Sequence, residues 1–304
     1  MELTKDITEM KNITLFMIVA MGLSCGAGSC TSKPSSGQQA TDNDSLKNTV
    51  IASTQAVTTA ATPKKLPYEK KGMFVENDTT FLYRYAKLDT SENHVFYDYM
   101  DAYIETNKES EDWQTVKQRW SNFIYDEYHQ ETYDYELKHL HEKFGTPLPT
   151  HNCDEIKTTW VPFLSYRGKY YAEFQSSYYG IFINDSLYVQ MYMDGPYSCS
   201  IQSAEKISPT HFRLQVRGHA QEKVKQQDIY IINPECNIAI FSSPDPERNN
   251  ERENWLYMAK ESAEQLDLIT WRSTSMPDIS LIGYDEMNAD SLLQNYLKQH
   301  PDEP

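Results

Sequence analysis

The run His211-Phe212-Arg213-Leu214-Gln215-Val216-Arg217 alternates apolar and polar side chains without a break. Successive side chains of a β-strand point to opposite faces, so the pattern predicts a strand with one face in a core. Upstream, Leu187, Val189, Met191 and Met193 alternate with Tyr188, Gln190 and Tyr192 in the same way. Arg167-Gly168, Asn184-Asp185, Asp194-Gly195-Pro196 and Ser208-Pro209 separate such runs, and these residue types tolerate positive φ or preset a turn. Working outward, segments near Thr158, Lys169, Tyr178, Leu187, Tyr197, Thr210, Asp228 and Asn237 make about eight strands, an antiparallel β-meander over residues 157–242. Eight strands joined by short turns predict a small closed barrel or a sandwich, and a barrel of that size holds side chains or one small ligand.

Helices flank the meander in this reading. Over residues 68–150, Met73-Phe74-Val75 and Phe81-Leu82-Tyr83 bracket Asn77-Asp78 as a hairpin. Asp89 and Glu92 have the spacing of a capping box, and Val95, Phe96, Tyr99, Met100, Tyr103 and Ile104 follow at helical intervals. Ser110, Glu111 and Asp112 open a second helix with the stripe Trp113, Val116, Trp120, Phe123 and Ile124, broken near His129 and resumed by Tyr135, Leu140 and Phe144. Residues 247–304 predict a helix over 252–266, an extended piece over 268–271, and a last helix capped by Asn288 that carries Leu292, Leu293, Tyr296 and Leu297. The order helices, strands, helices predicts one α+β domain over residues 68–304, with helices covering one side or one mouth of the sheet. In strand number, the closed form is similar to lipocalin-like domains.

The N-terminus reads as an address. Ile13 to Leu23 is an apolar stretch behind Lys11, too short to span a bilayer and of the length of a secretory core segment. Gly22-Leu23-Ser24-Cys25 and Ala27-Gly28-Ser29-Cys30 follow. Either resembles the lipobox of bacterial lipoproteins, although Leu23 stands two places before Cys25 where the usual pattern has three. The resemblance implies cleavage after residue 24, a lipid on Cys25 (alternatively Cys30), and a location in the cell envelope outside the inner membrane. Without the lipid, the expectation is a secreted or periplasmic protein. Residues 25–67, rich in Ser, Thr and Ala, cannot bury enough apolar surface to offset ordering, and predict a disordered tether reaching about 35 Å.

A net charge of −16 disfavours partners with phosphate backbones, so no nucleic acid is expected, and it leaves a lipid as the route to a membrane. His139 and His141 diverge on a helix and His151 beside Cys153 carries no distinct signal; no metal, cofactor or catalytic residue is expected from these motifs. A Cys199–Cys236 disulfide is conceivable after export, though nothing in the spacing requires it. The 22 tyrosines stand out. Their plain reading is cross-strand pairs covering a sheet; the second is a ligand platform of Tyr170, Tyr171, Tyr178, Tyr179, Tyr188 and Tyr192. The functional expectation is a lipid-anchored binding protein that catalyses nothing, taking a small apolar molecule in a barrel or a glycan or peptide on an aromatic surface. The alternatives are an envelope-polymer hydrolase, which requires two of His, Cys, Asp or Glu converging in a cleft, and a subunit of an envelope assembly.

Overall fold

The computed structural model describes residues 67–89, 96–122, 127–174, 180–192, 194–245, 251–274 and 279–301. The leader, the tether up to residue 66, Cys25, Cys30, Tyr178 and Tyr179 lie outside these residues. Strands β1 (Tyr68–Glu76) and β2 (Thr79–Asp89) form a hairpin whose turn residues Asn77 and Asp78 take φ of 49° and 61°, which asparagine and aspartate tolerate. Strand β3 (Phe96–Glu105) follows, then α1 (Glu111–Asn122) and α2 (Glu127–Phe144). The α1 stripe buries Trp113, Val116 and Trp120, and the two indoles meet edge to face at 6.1 Å. α1 ends at Asn122 and α2, which contains His129, begins at Glu127; Phe123 and Ile124 of the expected stripe lie outside the described residues.

Ten strands come next: β4 (Thr159–Val161), β5 (Phe163–Tyr166), β6 (Lys169–Glu173), β7 (Gly180–Ile183), β8 (Leu187–Tyr192), β9 (Gly195–Ser208), β10 (His211–Gly218), β11 (Lys225–Asn233), β12 (Ile238–Asp245) and β13 (Glu251–Ala259). A single turn of helix, α3 (Lys260–Ala263), leads to β14 (Leu268–Ser273), a 3-10 turn at Ile279–Ile282, and α4 (Ala289–Gln299). Asn288 caps α4, its side-chain oxygen accepting from the Ser291 amide at 2.8 Å.

Eight strands close into an antiparallel barrel in the order β10-β11-β12-β13-β4-β7-β8-β9. The closing stave is β4, which pairs through only Trp160 and Val161 with β13 and through Thr159 and Trp160 with β7. Residues opposite one another in a ladder share a face. Phe212, Leu214 and Val216 therefore point inward with Ile229, Ala239, Phe241, Trp160, Ile181, Ile183, Cys199 and Ile201 as one buried cluster. Cys153 and Ile156, from the segment before β4, join that cluster and plug the end of the barrel opposite the start of β13. On the outside, α2 packs Leu140 on Leu187 and Val189, and α4 packs Leu293 and Tyr296 on Tyr230 and Ile240.

The remaining strands form a second sheet, β1-β2-β3-β14-β6-β5, antiparallel except for the β14–β6 pair. Chain passes between sheet and barrel through Pro162 alone after β4, and again through α3 after β13. Trp113 and Trp120 sit with Val161, Phe163, Ala172, Ile238, Met258 and Leu268, so the same cluster glues both sheets.

Two expected helices are strands. Residues 96–105 are β3: Met100, Ala102 and Ile104 face one apolar cluster while Asp101 and Tyr103 face the other side, where Asp101 meets Arg84 Nε at 2.8 Å. With both faces covered, apolar residues fall three and four apart as well as two apart, and pairing to β2 and β14 on both edges decides the outcome. Residues 252–266 likewise contain β13, and only Lys260–Ala263 is helical. The segment near Lys169, counted among the meander strands, belongs to the second sheet as β6, and β13 takes its place as the eighth stave.

Gly180 shows how tightly the closing stave is seated. A methyl group there would lie 2.5 Å from Met191 Cε and 2.7 Å from the Trp160 carbonyl oxygen. The methionine can swing away, whereas the carbonyl belongs to the β4 backbone. Gly180→Ala is expected to cost about 1–3 kcal/mol, the usual range for overpacking. A urea midpoint unchanged from the parent protein would contradict this.

Candidate functional site

The barrel interior is filled from the plug up to Phe241 and Tyr188, and above them a cavity of about 450 Å³ opens at the other end. It is lined by inward positions of five staves: Ile181 from β7, Tyr188, Gln190 and Tyr192 from β8, Lys225 and Gln227 from β11, Phe241 and Ser243 from β12, and Glu253, Trp255 and Tyr257 from β13. The register explains the opening. Ser243, Pro244 and Asp245 of β12 pair only with Glu253, Arg252 and Glu251 of β13, so this hairpin rises past its neighbours as an arm. Because β4 stops at Val161 and leaves through Pro162, the edge of β13 that faces away from β12 has no described strand beside it from Glu251 to Tyr257. Among the described residues, the mouth is thus open at the top and on one side.

Aromatic surface and polar groups are interleaved there. Trp255 is 56% exposed and Tyr192 40% exposed, while Tyr188 lies buried at the base with its hydroxyl donating to Gln227 Oε1 at 3.1 Å. Tyr257 rests edge to face on Phe241 at 5.5 Å. Burial pushes the phenols of Tyr188, Tyr192 and Tyr257 above the ordinary tyrosine value, with the Glu253 carboxylate adding to the effect at Tyr192. These hydroxyls are neutral donors at any physiological pH. Lys225 and Glu253 have no ion-pair partner among the described residues, so the cavity carries one charge of each sign.

Of the six tyrosines singled out from sequence, Tyr188 and Tyr192 line this mouth. Tyr170 and Tyr171 lie on β6 in the other sheet, Tyr170 against Phe163 at 5.2 Å and Tyr171 buried between Leu82 and Ile269 in a separate apolar cluster. Trp255 and Glu253 escaped sequence reading because Trp255-Leu256-Tyr257-Met258 is apolar without a break, which hid the alternation of β13.

The thiols are structural. Cys153, Cys199 and Cys236 are free, so Cys199 and Cys236 form no disulfide; burial pushes Cys153 up to about 11 and Cys199 up to about 12, which keeps both protonated. His151 turns from Cys153 and bonds the Ile201 carbonyl at 3.0 Å. His139 lies on α2 with its ring centroid 5.2 Å from that of His219, which in turn bonds Glu136 at 3.0 Å. Among the described residues no group of three or more His, Cys, Asp or Glu is placed to hold a metal ion. On the outer face of the barrel, buried Asp228 accepts from His211 Nε2, Arg213 Nε and Gln226 Nε2 at 3.2, 2.7 and 2.8 Å, and from Arg252 Nη2. All four donors converge on one carboxylate, leaving it no face for a substrate; its role is to fasten β10, β11 and β13 together.

A larger hollow of about 540 Å³ on the second sheet is a shallow trough beside Tyr68, Tyr83 and Tyr85. Tyr83 already donates to Glu69 there, at 2.7 Å. The mouth is the better formed site, and it defines the molecule as an antiparallel barrel with an aromatic, polar-studded opening. No family model, no curated protein and no solved structure matches this chain.

Proposed function

We propose that this protein is an exported, lipid-anchored binding protein of the cell envelope that holds a small ligand in the barrel mouth and performs no chemistry on it. The carrying observation is the mouth itself: a cavity of about 450 Å³, within the size range of small-ligand sites, with aromatic faces and a few separated polar groups. A hydrolase would need converging acid, base or nucleophile groups, and the described lining offers the single carboxylate of Glu253. The filled lower barrel leaves no room for an apolar molecule at depth, so the ligand sits at the opening. The leader and its lipobox-like cysteines, Cys25 or Cys30, support the anchored location, and no described helix is long and apolar enough to cross a membrane.

Mass spectrometry of the protein recovered from its own host envelope tests both halves. The expected result is a surplus mass under native conditions that vanishes on denaturation, together with a covalent lipid increment on the N-terminal cysteine. Identical native and denatured masses would remove the carried ligand, and an N-terminus without lipid would remove the anchor.

A further inference from the structure

Assuming the mouth is a binding site, we infer that its ligand is a saccharide, stacked on Trp255 and Tyr192 and hydrogen-bonded by the polar side chains between them. Three observations point this way. First, the rings of Tyr192 and Trp255 are 40% and 56% exposed and stack on no other aromatic among the described residues, so their faces are available. Flat apolar faces with a polar rim suit the C–H face of a sugar ring.

Second, the side chains of Gln190, Lys225, Ser243 and Glu253 make no hydrogen bond or ion pair to any described residue, although Ser243 is buried and the other three lie on the cavity wall. A purely apolar ligand would strip water from these groups and return nothing, at a cost of about 1–3 kcal/mol for each group left unsatisfied. A polyol supplies a hydroxyl, which both donates and accepts, to each of them. Among them Gln190 offers a planar amide that can address two neighbouring hydroxyls.

Third, the charges balance. An anion in the cavity meets Glu253 and a cation meets Lys225, whereas a neutral polyhydroxylated molecule is penalised by neither. The side gap left by the short β4 stave then gives the rest of a chain a way out, so a terminal or internal unit of a longer saccharide can be held.

The test uses the purified full chain on an array of immobilised neutral, amino and acidic saccharides, with hits titrated in solution by isothermal titration calorimetry. Binding to neutral saccharides is expected, weakened at least tenfold in Trp255→Ala and in Gln190→Ala, and unchanged in Tyr170→Phe. Far-UV circular dichroism should be the same for all three, since Trp255 and Gln190 are not core residues. No saccharide bound above background overturns the inference, as does binding that survives both mouth substitutions. If native mass spectrometry finds a carried ligand that depends on Trp255 and is a peptide or another non-sugar, the binding function stands and the saccharide falls.

Discussion

Asp228→Ala is expected to lower the stability of the folded chain by about 3–5 kcal/mol, the cost of breaking a buried ion pair from one side. The substitution removes the acceptor of four donors and leaves the guanidinium groups of Arg213 and Arg252 beside His211 with no counter-charge. In a domain of this size that corresponds to a melting temperature lower by roughly 10 °C. A loss under about 1 kcal/mol would show that the cluster is not what binds β10, β11 and β13. The same group sets an acid limit. Burial alone pushes its carboxyl up, but the hydrogen bonds from His211, Arg213 and Gln226 and the charge of Arg252 outweigh burial and hold it well below the usual carboxylate range. A carboxyl with a folded pKa below its unfolded value stabilises above the unfolded value of about 3.9, and loses that contribution as pH falls through it toward the folded value. Melting temperature measured from pH 7 to pH 2 should therefore drop below about pH 4 in the parent protein, with a shallower acid limb in Asp228→Asn.

Trp160→Ala should be as damaging, at about 3–5 kcal/mol for truncating a buried indole. Trp160 is 2% exposed, meets Phe241 edge to face at 5.4 Å, and donates through its indole nitrogen to the Ile156 carbonyl at 3.0 Å. It therefore ties three things at once: the barrel interior, the plug, and a closing stave that has only two ladder pairs on each side. Urea unfolding measures the loss. Trp160→Phe keeps the ring and loses the hydrogen bond, and should recover more than half of the stability. A midpoint for Trp160→Ala close to the parent would mean that the barrel does not depend on this stave.

Legibility differed from one segment to another. β8 and β10 were plain because one face of each is uniformly apolar and the other carries Tyr, Gln or Arg. The turns were plain as well, since Asn77, Asp78 and Gly168 adopt the positive φ that their residue types suggest. β3 and β13 were not, because each is covered on both sides and the period of two disappears into a mixed run. Whether the strands made a barrel or a sandwich depended on β4, whose Thr159-Trp160-Val161 is too short to be weighed from composition. The site suffered for the same reason. Of the tyrosine-rich segments, β8 lines the cavity, yet Trp255 and Glu253 lay in a segment assigned to a helix, and their approach to Tyr192 and Gln190 comes only from barrel closure.

The way the chain crosses between its two sheets has a consequence for how it folds. Trp160 and Val161 find their partners at Ala259 and Met258, and Met100 finds its partner at Ser273. Neither sheet can be finished until the last part of the chain has arrived, and the entropy of closing those long loops is spent before the contacts form. Folding should accordingly be slow, on the order of milliseconds to seconds, with barrel closure among its final events. A chain cut short before Leu268 would leave β3 without β14 beside it, and one cut before Met258 would leave β4 unpaired on that side as well. Such raw edges invite pairing with other chains. Ring closure thus serves as a check on synthesis, because the eight staves and their mouth can come together only once the chain has been made through Ala259.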